Sequence, residues 1–96
     1  MKEFKKYSLF LYYFPGCPFC HFVLDVIEKL KLQVSLVNIH EDNKSREKLY
    51  KDTGRYTVPC LYINDEPMHE SQDIINWLVQ NKDKLEKSKW RTLPYL

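Results

Sequence analysis

The sequence contains little glycine and cysteine and no long hydrophobic run. Two glycines among 96 residues are too few for a linker or a disordered polypeptide. Three cysteines are too few, and odd in number, for a secreted domain held together by disulfides, so we interpret them as chemically active groups. No stretch beyond the N-terminal region is long enough to span a bilayer. Hydrophobic residues make up 44% of the chain, which is enough for one small soluble domain over residues 1–96.

Basic residues are concentrated at the two ends of the chain. Eight of the 15 Lys and Arg residues lie in the first six and the last fifteen positions, whereas the rest of the chain is slightly acidic. Lysine-rich ends are usually solvated, so we expect neither a nucleic-acid partner nor a membrane partner. We place the folded core at about 7–81 and a C-terminal tail at 84–96, whose Trp90 and Leu93 are candidates to pack against the body.

The hydrophobic pattern predicts the element order β-α-β-α-β-β-α. We expect strands at 7–14, 33–39, 60–63 and 66–69 and helices at about 18–30, 43–53 and 71–80. The first two strands are joined through a helix and should be parallel, whereas Asn64-Asp65 predicts a tight antiparallel hairpin. The predicted fold class is therefore α/β, with a four-stranded mixed sheet.

Local signals support these boundaries. Pro15 and Gly16 end the first strand, which has no polar face and should be central and covered on both sides. Asp42 or its neighbour can cap the second helix, Gly54 can end it, and Ser71 is a good N-cap for the third. In the first helix, an apolar stripe should face the core: Phe19, Phe22, Val23, Val26, Ile27 and Leu30.

A dithiol lies at the turn between the first strand and the first helix. Cys17 and Cys20 are separated by Pro18, which suits the first helical turn, and Phe19. The free amides and the positive end of the helix dipole favour an anion, so Cys17 is favoured as a thiolate. Because Cys20 lies one turn later on the same face, we expect Cys17 to be exposed and to attack a disulfide, and Cys20 to resolve the mixed disulfide.

Other interpretations of the cysteines stay open. Cys17 to His21 matches the c-type haem attachment pattern, with Met68 as an axial ligand, although the strand and helix context suits a redox protein better. A zinc site would have to add Cys60 or histidines to the Cys17 and Cys20 pair. None of these residues repeats the close spacing that is typical of zinc ligands, so we expect no metal. The dithiol could simply be packed in a core. A lipoprotein signal ending at Cys17 fits poorly, because phenylalanine and proline stand where small residues are needed.

Combined with Thr57-Val58-Pro59 and Glu70-Ser71, the dithiol resembles the glutaredoxin family over about residues 7–81. The resemblance implies a thioredoxin-like fold in which the proline is cis and faces the dithiol. It also implies that the backbone at Val58 pairs with the cysteinyl part of glutathione, as an added strand would.

The resemblance further implies a set of glutathione-binding positions. Ser71 and Gln72 would hold the γ-glutamyl carboxylate at a helix N-terminus, and Arg46 would contact the glycine end. Glutaredoxins usually have two glycines where His69 and Glu70 stand, and the Glu-Ser pair instead resembles the N-terminal domain of glutathione transferases. The expected glutathione-binding residues are Phe19, Arg46, Thr57, Val58, Pro59, Glu70, Ser71 and Gln72.

The implied protein is a cytoplasmic, monomeric dithiol glutaredoxin that reduces protein disulfides and glutathione mixed disulfides, with glutathione as co-substrate. Phe14 departs from the family, because many glutaredoxins have Lys or Arg there to bind glutathione. This departure keeps open a redoxin served by thioredoxin reductase, such as an electron donor to ribonucleotide reductase. A glutathione-ligated iron–sulfur carrier is a further alternative, which Pro18 disfavours in the family. Cys60 is expected to be a small buried apolar group.

Overall fold

The computed structural model describes residues 7–87 and contains the predicted elements in the predicted order. The strands are β1 (Leu9–Tyr13), β2 (Ser35–Asn38), β3 (Cys60–Ile63) and β4 (Glu66–His69). The helices are α1 (Pro18–Lys29), α2 (Asn43–Thr53) and α3 (Ser71–Asn81), and a short 3₁₀ turn follows at Lys82–Lys84. Within this described part of the chain, no helix has the length and apolar character needed to cross a membrane.

The four strands form one mixed sheet in the order β2-β1-β3-β4. β1 is parallel to β2 and antiparallel to β3, and β3 pairs with β4 in the predicted hairpin. The two residues of the hairpin turn, Asn64 and Asp65, have φ angles of 50° and 73°, as a tight turn between twisted strands requires. The predicted α/β class and mixed sheet are confirmed.

Apolar side chains pack on both faces of the sheet. One face is covered by α1 and α3, through residues such as Ile27 and Leu78. The other face packs against α2 through Leu49 and Tyr62. β1 is therefore a central strand, as predicted. Phe10 on β1 remains 42% exposed, however. Leu49 is the buried residue of α2, so this helix covers its face of the sheet only in part.

The buried face of α1 differs from the predicted stripe. Its buried side chains are Cys20, Val23, Leu24 and Ile27. Phe19 and Phe22 are 59% and 54% exposed, so the prediction that they face the core was wrong. Apolar residues occupy most positions from 19 to 27 and offer more than one stripe. Packing against the sheet and α3 selects the stripe that is buried.

The two ends of α2 follow the signals in the sequence. The carboxylate of Asp42, the N-cap, accepts hydrogen bonds from the amide and the hydroxyl of Ser45 at 3.2 and 2.9 Å. These bonds lower the pKa of Asp42. Gly54 ends the helix with a φ of 81°, and its amide donates to the carbonyl of Tyr50.

The body of the protein continues past α3. Leu85 is buried in the core, and the segment after it lies beside the residues that precede β2, where the Gln33 amide donates to the Glu86 carbonyl at 2.9 Å. The first residues of the expected tail at 84–96 thus pack against the body. Trp90 and Leu93, which were expected to pack against the body, lie outside the described residues.

Candidate active site

Cys17 lies at the start of α1 with its sulfur directed into the turn. The Cys17 amide follows the end of β1 and donates to the Phe14 carbonyl at 3.1 Å. Cys17 is the N-cap of α1, and its Sγ accepts a hydrogen bond from the Cys20 amide at 3.3 Å. The thiol also donates to the Val58 carbonyl oxygen, 3.9 Å from Sγ. The sulfur is thus held between the helix N-terminus and the loop that leads into β3.

Cys20 lies behind Cys17 and is fully buried. Burial raises the pKa of the Cys20 thiol, and its hydrogen bond with Cys17 raises the pKa further. Cys20 therefore stays protonated at neutral pH. Both cysteines are free thiols and both are buried, so the expectation that Cys17 is exposed was wrong: Cys17 keeps 6% of its surface accessible, whereas Cys20 has none, because the Cys17 sulfur is held between the helix N-terminus and the loop before β3.

Contacts with neighbouring side chains hold the turn that carries the dithiol. Pro18 occupies the first helical position, where its missing amide hydrogen costs nothing. The imidazole of His21 hydrogen-bonds to the Pro15 carbonyl. Phe14 stacks on His40, with ring centroids 4.3 Å apart. The residues before Cys17 are thereby tied to α1 and to the loop after β2.

A cleft of about 240 Å³ lies between α1, the loop before β3, and the corner between β4 and α3. It is lined by Phe19, Thr57, Val58, Pro59, Glu70 and Ser71. Val58 connects this cleft to the dithiol, because its carbonyl accepts the hydrogen bond from Cys17. The Val58–Pro59 peptide bond is cis, as the sequence resemblance implied. The structure brings six of the eight expected glutathione-binding residues together around one space.

Glu70 forms the corner between β4 and α3. Its φ of 75° and ψ of 114° lie in a region that glycine adopts readily and other residues rarely adopt. A glycine, which the family resemblance led us to expect at this position, would adopt this conformation without strain. Ser71 is the first residue of α3, so the prediction that it is the N-cap was wrong. Glu70 is the N-cap, and its side chain makes no capping hydrogen bond.

The other two expected glutathione-binding residues lie outside the lining of the cleft. Arg46 on α2 places its guanidinium over the ring of Tyr56, 4.4 Å from the centroid, and pairs with Glu47 at 4.0 Å. Gln72 is exposed on α3 and donates to the Asn76 side chain at 3.1 Å. Both side chains have partners elsewhere on the surface.

Cys60 is separated from the dithiol by the sheet. It is fully buried among Tyr12 and Tyr62 in the cluster on the α2 side, whereas Cys17 and Cys20 belong to the cluster on the α1 side. Burial raises the pKa of Cys60 to about 12. Cys60 is a buried apolar group, as expected. Within residues 7–87, no three His, Cys, Asp or Glu side chains are placed to hold a metal ion together.

One contact at the cleft was missed by the sequence analysis. His69 Nε2 lies 3.0 Å from the Thr57 carbonyl oxygen, and His69 Nδ1 lies 3.5 Å from Nη2 of Arg55. No motif in the sequence links His69 and Arg55 to Thr57. The available signal was the hairpin register, which pairs His69 with Cys60 and so places it beside the loop before β3.

A mixed sheet flanked by three helices, with a dithiol at the first helix and a cis-proline loop against it, defines a thioredoxin-like thiol protein. A sequence profile of the glutathione S-transferase N-terminal domain matches residues 11–88. A glutaredoxin from Haemophilus influenzae is 36% identical, and the alignment covers 56% of this chain and 70% of the relative. A Rickettsia typhi protein named "Probable monothiol glutaredoxin 2" is 38% identical, and the alignment covers 76% of this chain and 64% of that protein. The chain belongs to the glutaredoxin family.

Solved structures share the same fold. Wheat glutaredoxin has a TM-score of 0.67 and 20% identity, with 83% of each chain covered. A glutathione transferase homologue from Drosophila mojavensis, with bound glutathione, has a TM-score of 0.67 and 23% identity. That alignment covers 79% of this chain and 36% of the homologue. The thioredoxin-like fold is confirmed, and the glutaredoxin relatives support a glutathione-related thiol redox function.

Proposed function

We propose that this protein is a dithiol glutaredoxin, a glutathione-dependent oxidoreductase that reduces glutathione mixed disulfides and protein disulfides in the cytoplasm. The observation that carries the proposal is the position of Cys17. Its sulfur receives a helix N-terminal amide hydrogen bond and lies 3.9 Å from the carbonyl oxygen of Val58, which lines the cleft. A thiol at a helix N-terminus that is more accessible than its partner Cys20 and contacts the wall of such a cleft suits attack on a disulfide bound there.

For a glutathionylated substrate, the Cys17 thiolate attacks the sulfur of the glutathione moiety. The bond between the two substrate sulfurs breaks, and the substrate leaves as a thiolate that takes up a proton. Cys17 then carries glutathione in a mixed disulfide. A second glutathione thiolate attacks the glutathione sulfur of this intermediate, which releases glutathione disulfide and restores Cys17. One free glutathione is thus consumed, the glutathione moiety of the substrate leaves as half of glutathione disulfide, and the substrate is released as a thiol.

For a protein disulfide, Cys20 completes the reaction. Cys17 first forms a mixed disulfide with one substrate sulfur and releases the other as a thiol. Cys20 then attacks the Cys17 sulfur, its proton passing to the departing thiolate, and a Cys17–Cys20 disulfide remains. Two glutathione molecules reduce this disulfide. The raised pKa of Cys20 keeps it neutral until this second step, so that it does not compete with Cys17 for the substrate.

The cleft supports glutathione as the partner. Its walls include the backbone of Thr57 and Val58, which could pair with a peptide, and the first turn of α3 at Ser71, where amide groups suit the γ-glutamyl carboxylate. Phe19 and Pro59 provide apolar surface on either side. We therefore assign glutathione binding to the six lining residues.

Three serine variants test the assignment of the cysteines. Cys17→Ser should abolish turnover of a glutathionylated peptide in an assay coupled to glutathione reductase, because a hydroxyl is not ionised at neutral pH. Cys20→Ser should keep that turnover within about threefold of wild type but lose reduction of a protein disulfide. Cys60→Ser is the matched control, since Cys60 lies across the sheet. Activity that survives in Cys17→Ser would contradict the proposal.

The reductant is tested in the same assay. Wild-type turnover should be supported by glutathione with glutathione reductase and not by thioredoxin reductase alone. The reverse result would favour the thioredoxin-reductase-dependent redoxin, which the apolar side chain of Phe14 had kept open.

A further inference from the structure

His69 connects the two walls of the cleft. It is the last residue of β4 and directly precedes Glu70, which lines one wall. Its imidazole reaches across to the other wall, where Nε2 lies 3.0 Å from the carbonyl oxygen of Thr57. The distance between the walls is therefore set in part by this side chain.

The partners of His69 define its protonation. The Thr57 carbonyl can only accept, so Nε2 must carry the proton. The Arg55 guanidinium can only donate, so Nδ1, 3.5 Å from Nη2, must be unprotonated. Both contacts together require a neutral ring with its proton on Nε2.

The same contacts hold the loop that carries the cis proline. The backbone of Arg55 is bound to the end of α2, because the Thr53 hydroxyl donates to its carbonyl at 3.0 Å. The side chain of Arg55 meets His69, and His69 meets Thr57 two residues further along the loop. Val58, the next residue, accepts the hydrogen bond from Cys17. A continuous series of contacts thus runs from α2 through His69 to the dithiol.

We propose that neutral His69 is a positioning residue for glutathione binding, which acts by holding Thr57 and Arg55 in the loop before β3. This inference rests on the proposed function. His69 stands where glutaredoxins usually have a glycine, which has no side chain to make these contacts. In this chain the bond to Thr57 fixes the wall whose backbone would pair with glutathione, and the bond to Arg55 keeps a cation beside that wall.

Kinetics on three variants test the proposal. His69→Ala should raise KM for a glutathionylated peptide about 3- to 10-fold, the loss expected for one or two hydrogen bonds, with kcat within about twofold of wild type. His69→Gln can donate to Thr57 and accept from Arg55, so it should recover much of this loss. Glu66→Ala, an exposed position on the same strand, should behave as wild type.

A second measurement addresses the ring itself. Long-range proton–nitrogen spectra of wild type at neutral pH should show one protonated and one unprotonated nitrogen in His69, with the proton on Nε2. A proton on Nδ1 would overturn the proposal, and so would a normal KM in His69→Ala. If wild type fails to turn over the glutathionylated peptide, the proposed function itself fails, which is a different result from an active wild type matched by His69→Ala.

Discussion

Glu70 holds a backbone conformation that glycine would adopt more easily, so Glu70→Gly should stabilise the protein. Its φ of 75° and ψ of 114° have no local side-chain compensation, since Glu70 makes no capping hydrogen bond. A residue other than glycine in such a region costs about 1–3 kcal/mol. Glycine removes that cost in the folded state, but its greater conformational freedom also stabilises the unfolded chain by about 0.4–1 kcal/mol.

The comparison that isolates the backbone is Glu70→Gly against Glu70→Ala. Both variants remove the carboxylate, but alanine keeps the strained conformation. We expect the glycine variant to be about 1 kcal/mol more stable than the alanine variant, the difference between the two opposing contributions. For a domain of this size, that difference raises the melting temperature by about 4–8 °C. Urea unfolding followed by tryptophan fluorescence would measure it, with thermal unfolding as a second readout.

Gly54 provides the opposite control. Its φ is 81°, and a methyl group built on its Cα would meet nothing within 4 Å, so Gly54→Ala tests backbone conformation without a steric clash. It should destabilise the protein by about 1–2 kcal/mol. If Gly54→Ala is destabilised while Glu70→Gly is no more stable than Glu70→Ala, the strain assigned to Glu70 is absent.

Two further predictions concern buried and paired groups. Because Cys60 is fully buried and its pKa is about 12, iodoacetamide at pH 8 should label Cys17 in the native protein and reach Cys60 only after unfolding; rapid native labelling of Cys60 would contradict its burial. The carboxylate of Asp52 accepts hydrogen bonds from Lys48 and Tyr62, both at 2.9 Å, and these lower the pKa of Asp52. Its contribution to stability is therefore full above its ordinary pKa of about 3.9 and is lost as the pH falls through the lower folded value. The difference in unfolding free energy between wild type and Asp52→Asn should shrink below about pH 4, and a difference that persists to pH 2 would refute this reading.

Much of the fold could be predicted because its signals are local. The caps of α2 at Asp42 and Gly54 depend on residues within one helical turn, and the hairpin depends on the Asn64-Asp65 pair. In α1, local signals led to a wrong prediction of the buried face. Phe19 and Phe22 fit a helical apolar stripe, but both are exposed. Packing against the sheet and α3 determines which stripe is buried, and the periodicity of one helix carries no information about those neighbours.

The sequence by itself determined that two cysteines stand at a strand-to-helix turn, because the breaking residues Pro15 and Gly16, the helix-starting Pro18 and the apolar periods around them are all adjacent in the chain. Only the tertiary structure decided what surrounds those cysteines. β3 lies between β1 and β4, and this sheet order brings Val58 against Cys17. The same order buries Cys60 across the sheet. These contacts join residues some forty positions apart, and their geometry follows from how helices and strands pack, which no short window of sequence specifies.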